Sequence, residues 1–204
     1  MIDLYAAGTS NGMRARIALE ECGLQYRWHP VDLMKGENRS PEFLKLNPNA
    51  QIPVIVDDAA PGGKQIVLSQ SSAIMIYCAE KAGKFMPSDP VKRAMTLEAY
   101  MSASTDITPM FGTVNGILRS KEPHAPTANM FRSRLREYFK VWNDKLAQRR
   151  YAAGDDVTIA DFSLYAGYWR TKGALPDVVA ELPNLERWAG EVAARPAIQR
   201  AVKL

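Results

Sequence analysis

Apolar residues along the first eighty positions switch between two periods. Ile2 to Ala6 is a short apolar run of strand type. From Gly12 to Cys22 the apolar positions Met13, Ile17, Ala18 and Cys22 keep helical spacing, and Gly23 follows where helices commonly end. Tyr26 to Val31 reads as a second strand. Ser40-Pro41-Glu42 opens a helix, with a capping serine, a proline at the first helical position and an acid behind it. Val54-Ile55-Val56 and Ile66-Val67-Leu68 flank the turn Ala59-Ala60-Pro61-Gly62-Gly63 and form a hairpin. Ser71 to Lys81 is a helix with Ala73, Ile74, Tyr77 and Cys78 on one side, stopped by Gly83. The order β-α-β-α-β-β-α suits a small α/β sheet with helices packed on it.

The texture changes after a proline- and glycine-bearing linker at residues 83–90. Long helical patterns occupy Val91 to Thr113 and Thr127 to Arg150, separated by the loop Lys121 to Pro126. Thr158-Ile159-Ala160-Asp161 is a capping box, with Val157 and Phe162 as its staple. Pro183 to Ala194 and Pro196 to Val202 complete an all-helical half. The expected division is residues 1–82, a linker at 83–90 and an all-α domain at 91–204.

Composition narrows the function classes. The formal net charge of +4 is modest. Its densest basic cluster, Arg132, Arg134, Arg136 and Lys140, lies on a helical pattern and reads as a solvated face rather than a nucleic-acid stripe. Two cysteines, Cys22 and Cys78, make no disulfide framework and no metal spacing, and both fall at core positions. No metal is expected. The opening IDLYAA lacks the pattern of a signal peptide, and no apolar run approaches a membrane span. A soluble, reducing, cytoplasmic setting is expected.

Three short stretches carry candidate chemistry. Thr9-Ser10-Asn11-Gly12 is a turn rich in hydrogen-bonding groups just before a helix. It either caps that helix or offers donors to a bound thiolate near the positive helix end. A thiol pKa near about 8.5 falls by about two units for about 2.7 kcal/mol. One hydrogen bond to a charged group supplies about 1.5–3 kcal/mol. The helix end adds about 0.3–1. Ile52-Pro53 stands just before the third strand. It is either a strand-entry proline or a turn, with a cis bond plausible there, that leaves the Ile52 backbone open to strand addition. Gln70-Ser71 opens another helix, as a cap or as a carboxylate cradle.

The layout of these three stretches resembles the glutathione transferase family. The stretches TSNGMRARIALEECGLQYRWHPVDLMKGENRSPEFLKLNPNAQIPVIVD, LSQSSAIMIYCAEKAGKFMP and TIADFSLY carry the likeness over essentially the whole chain. The resemblance implies a thioredoxin-like N-terminal domain followed by an all-helical C-terminal domain. It implies glutathione as co-substrate, with the Ile52 backbone before a cis Pro53 pairing with the cysteinyl unit. Gln70 and Ser71 would hold the γ-glutamyl end, and Asn38 and Gln51 the glycyl end and nearby backbone. Thr9, Asn11 and Ser10 would serve the thiolate, and Thr158 and Asp161 a folding role. The stretch around GTSNG is most similar to the bacterial Nu class, which reduces disulfides without a protein cysteine, although Ser10 stands where that class has proline. The Zeta class is also similar around RARIALEE, but Asn11 stands where its cysteine would fall. The resemblance further implies a homodimer and a small electrophile or disulfide as second substrate. A non-catalytic binding protein on the same fold is the competing reading.

Overall fold

The computed structural model describes residues 1–203. They form two compact units, one of residues 1–86 joined by the segment from Arg195 onward, the other Pro87–Ala194.

In the first unit, β1 (Ile2–Ala6), β2 (Tyr26–Pro30), β3 (Val54–Asp57) and β4 (Ile66–Ser69) make one sheet in the order β2-β1-β3-β4. The pair β1–β2 is parallel, and β1–β3 and β3–β4 are antiparallel. Helices α1 (Ser10–Cys22), α2 (Pro41–Leu46) and α3 (Ser71–Ala82) join the strands, with a 3-10 turn at Glu37–Arg39. The register decides where the chemistry gathers. Tyr5 pairs with Val54, and Val54 with Ser69. The residues that follow β1, precede β3 and follow β4 therefore meet at one end of the sheet. Those are the three stretches singled out in the sequence. Beneath them, buried Val31, Phe43 and Val54 pack with Tyr5, Leu46 and Ile52.

Helix α9 (Pro196–Val202), placed by the sequence reading with residues 91–204, groups instead with the first unit. Arg195 forks onto Glu21 at 2.7 and 2.6 Å, Arg200 reaches Glu20 at 2.7 Å, and Arg16 donates to the Lys203 carbonyl at 2.7 Å. These pairs fasten the segment to α1.

The second unit contains α4 (Pro90–Met101), α5 (Thr108–Leu118), α6 (Ala125–Ala147), α7 (Ile159–Ala174) and α8 (Pro183–Ala193). The single helix expected over Val91 to Thr113 is interrupted by a π-helical stretch at Ser102–Ile107. Pro109, near the start of α5, has no N–H for the carbonyl four residues back, and its ring crowds that carbonyl. The wider π turn absorbs the misfit. Helix α7 is the axis of this unit. Its capping box is complete: Thr158 accepts from Ala160 at 3.3 Å, and Asp161 accepts from the Thr158 amide at 2.8 Å. Asp161 also accepts from the Ala152 amide and from Trp188 Nε1. Its carboxyl is fully buried, and that burial pushes its pKa up despite four donors.

Candidate functional site

The end of the sheet where the three stretches meet encloses a cavity of about 290 Å³. It is lined by Thr9 and Asn11 from the first turn, Asn38, Ala50, Gln51, Ile52 and Pro53 from the segment before β3, and Gln70 and Ser71 from the start of α3, with Leu33 and Asn47. Eight of the nine residues named from the sequence thus come together. Ser10 does not. It takes the first helical position of α1 and is not among the lining residues.

Thr9 is the cap of α1. Its side chain accepts the Gly12 amide at 3.1 Å. Capping and donation are compatible, because a hydroxyl accepts through lone pairs and keeps one O–H to give. The cap fixes the rotamer and leaves the proton for an occupant. Gly12 is required for steric reasons: a Cβ there would lie 2.1 Å from the Ala7 carbonyl oxygen, which also accepts from the Thr9 amide at 2.7 Å. No acid stands in the first turn of α1 or of α3, so neither positive helix end is neutralised by its own chain.

Gln70 adopts φ 72°, ψ 110°, outside the regions open to most non-glycine residues. It caps α3 without a side-chain hydrogen bond, so its amide is not spent on the helix. Strain of this kind persists where the surroundings enforce it, and here it sits at the cavity wall. The Ile52–Pro53 bond is cis, and the Ile52 backbone amide has no hydrogen-bond partner among the described residues.

Two residues that the sequence reading did not single out build the site from behind. Asn47 is buried, donates from Nδ2 to the Gln51 carbonyl at 2.7 Å and accepts the Asn49 amide at 3.1 Å. Its signal was the Asn-Pro-Asn run, ordinary turn chemistry. Asn38 acts similarly, donating to the Ala50 carbonyl at 2.6 Å. Arg14 on α1 is 2% exposed and donates to the Ser71 hydroxyl at 3.1 Å; that hydroxyl in turn reaches Asn11 Oδ1 at 3.5 Å. A buried guanidinium is thus linked through Ser71 to Asn11, whose Nδ2 is left to donate. Such chains polarise one another. An arginine on an otherwise apolar helix face was the available clue.

Neither cysteine lines this cavity. Both are buried, and burial pushes the Cys22 thiol up to about 12 and the Cys78 thiol further. No group of three or more His, Cys, Asp or Glu among the described residues is placed to hold a metal. His29 lies outside the cavity lining: its Nε2 is 2.7 Å from Asp3 Oδ1, and its ring stacks on Tyr5 at 4.5 Å. Arg132, in the basic cluster, is forked onto Asp177, and Arg136 donates to carbonyls of Asp177, Val178 and Ala180. No helix among the described residues is long and apolar enough to cross a membrane.

Known proteins resemble this chain in sequence. The model for the glutathione S-transferase N-terminal domain matches residues 10–81, and that for the C-terminal domain residues 112–203. Disulfide-bond oxidoreductase YfcG of Escherichia coli (strain K12) is 33% identical over 205 residues, covering 99% of this chain and 94% of that protein. The chain belongs to the glutathione S-transferase family. Solved glutathione transferases share its fold. One family member from Pseudomonas fluorescens pf-5, with two glutathione bound, has a TM-score of 0.94 at 30% identity over 99% of this chain and 92% of that one. A second, from Pseudomonas putida with one glutathione disulfide bound per subunit, has a TM-score of 0.89 at 29% identity over 100% and 91%. For a glutathione S-transferase, the polar cavity at the end of this sheet is the region whose chemistry has to be explained.

Proposed function

We propose that this chain is a glutathione-dependent enzyme that activates the thiol of bound glutathione at the start of α1 and reduces disulfides with it. Conjugation to small electrophiles and peroxide reduction draw on the same thiolate as side activities. The observation that carries this reading is the cavity itself: it gathers unspent donors from Thr9, Asn11, Ile52, Gln51 and Gln70 at two helix N-termini and contains no cysteine. Ile52 pairs its backbone with the cysteinyl unit. Gln70 and Ser71, with Arg14 behind Ser71, hold the γ-glutamyl end. Gln51 and Asn38 face the glycyl end. Thr9 and Asn11 donate to the sulfur and lower its pKa. Ser10 has no part in this arrangement.

The reaction runs by two exchanges. The glutathione thiolate attacks one sulfur of the substrate disulfide, forming a mixed disulfide and expelling one thiolate. A second glutathione thiolate attacks the glutathione sulfur of that mixed disulfide, releasing glutathione disulfide and the second substrate thiolate. Both expelled thiolates take up protons, and the two glutathiones are oxidised as the substrate is reduced. The relatives, a disulfide-bond oxidoreductase and structures holding two glutathiones or glutathione disulfide, support disulfide reduction as the main activity. Exposed Val91, Met95 and Met101 on α4 support assembly as a homodimer. The cytoplasm is the setting that supplies reduced glutathione.

The test is reduction of 2-hydroxyethyl disulfide by glutathione, beside conjugation of a chloronitrobenzene, on wild type, Thr9→Ala and Asn11→Ala. Disulfide reduction well above conjugation, lowered in both variants, is the expected result. Equal activity in all three removes the thiolate role. Glutathione binding with no activity in any of them favours a binding protein, a reading supported by the capping role of Thr9.

A further inference from the structure

Helix α1 brings Thr9 and Asn11 to the cavity, and the last residues of the chain grip its other side. Glu21, its side chain 3% exposed, receives both arms of Arg195 at 2.7 and 2.6 Å. Glu20 divides its carboxylate: Oε2 accepts from Arg200 at 2.7 Å and Oε1 from the Tyr26 hydroxyl at 2.9 Å. Arg16 joins the same three elements. Its Nε donates to the Tyr26 hydroxyl at 3.1 Å and its Nη1 to the Lys203 carbonyl at 2.7 Å, while its guanidinium lies over the Trp28 ring at 5.3 Å. On α9, Ile198 and Ala201 are fully buried. Charged hydrogen bonds and apolar packing thus tie α1, β2 and residues 195–203 together.

These ties also reach the thiol-activating turn. Arg16 and Lys203 line a recess with Ala6, Ala7, Gly8 and Trp28. Residues 6–8 are the backbone that leads into Thr9, and the Ala7 carbonyl accepts the Thr9 amide at 2.7 Å. Arg16 stands one helical turn after Gly12, the residue whose amide Thr9 caps. The opposite cavity wall is built differently. Ile52 and Gln70, which hold the tripeptide, belong to the segments entering β3 and α3. A helix moves as a rod, so a slip of α1 displaces Thr9 and Asn11 relative to Ile52 and Gln70. Hydrogen bonds weaken steeply as their distance and angle leave the optimum, and a small misplacement of positioned groups is costly in rate.

We propose that residues 195–203 are a strap that fixes the axial position of α1, and that Arg16 is the positioning residue through which the strap aims the Thr9 and Asn11 donors at the glutathione sulfur. The inference rests on the thiol-activating role given to that turn above. Arg16 touches neither glutathione nor the reacting sulfurs. It acts by holding the helix that carries the donors.

Titration of the bound glutathione thiol, read by thiolate absorbance on the full chain at saturating glutathione, tests this in wild type, Arg16→Met and a Glu20→Gln, Glu21→Gln double variant. Methionine keeps a stem over Trp28 and loses both donors. The glutamines keep the shape and an acceptor, and exchange charged hydrogen bonds for neutral ones about half as strong. The thiol pKa should rise by about half a unit in Arg16→Met and by about 0.3 unit in the double variant. The double variant separates tethering from charge, because taking two negative charges off α1 would by itself ease thiol ionisation and lower that pKa. Glutathione affinity should change less than about two-fold, since Ile52 and Gln70 are untouched. A wild-type pKa that is lowered but fails to rise in either variant overturns the strap, whatever the variants lose in melting temperature. A wild-type thiol that titrates where the free one does overturns the thiol-activation reading, and the strap with it.

Discussion

Helices α1 and α7 both begin at a threonine cap, yet the two termini do opposite work. At α7, Thr158 is followed three residues later by Asp161, and the acid closes the box. It takes the Thr158 and Ala152 amides and the Trp188 indole, all in the interior. Nothing there is left over for a ligand. At α1, Thr9 is followed three residues later by Gly12, which supplies no acid and admits no side chain. The cap satisfies one amide, the positive end stays unneutralised, and the terminus opens on a cavity. A cap alone is therefore no sign of function. What distinguishes the two is whether the first turn carries its own anion or leaves room for one from outside.

Breaking the closed terminus should have the largest effect. Asp161→Ala leaves three buried donors unpaired at about 1–3 kcal/mol each. Urea unfolding should show a loss of at least about 3 kcal/mol. Breaking the open terminus should affect chemistry more than stability. Thr9→Ala should cost about 1 kcal/mol of folding free energy as a lost cap. Disulfide reduction should fall by about 10- to 150-fold, the equivalent of one hydrogen bond to a charged group. Thr9→Ser, which keeps both cap and hydroxyl, should retain most of the rate in the same assay. Asn11→Asp makes the α1 terminus resemble that of α7 by placing an acid in its first turn. It should raise the bound thiol pKa by about one unit, an electrostatic change of about 1.4 kcal/mol, and lower the thiolate fraction and turnover about three-fold at pH 7.

The smallest effect contrasts the two interior carboxylates. Burial would raise Asp57, but hydrogen bonds from Lys81 and Tyr77 hold it below the usual carboxylate range. Its contribution is present above the unfolded value near about 3.9 and is lost as pH falls through the lower folded value. Asp161 is shifted the other way by burial, so its contribution is present in acid and fades as pH rises through the raised folded value. Amide exchange between pH 5 and pH 3 should therefore loosen the first unit before α7. Asp57→Asn should remove most of that difference.

The α/β texture, the all-helical second half, the capping box and the three site stretches were legible because each rests on local signals: periodicity, caps, glycine stops and prolines. The elements missed depend on distant partners. Arg14 reads as one more charge on a helix until Ser71, 57 positions away, is placed beside it. Helix α9 reads as the end of a helical domain until Arg195 and Arg200 reach back to Glu21 and Glu20. The π stretch has only Pro109 as its cue, and that proline equally suits the start of a new helix. Ser10 lies between two lining residues in sequence but is not itself among the residues that line the cavity.

The most direct measurement is the pKa of the glutathione thiol when bound, followed by thiolate absorbance across a pH titration of the complex. With Thr9 and Asn11 donating at an unneutralised helix end, that pKa should lie about two units below the free value near 8.5, and it should climb back in Thr9→Ala and Asn11→Asp. A bound thiol that titrates where the free one does, in wild type and variants alike, would contradict the assignment of this turn to thiol activation.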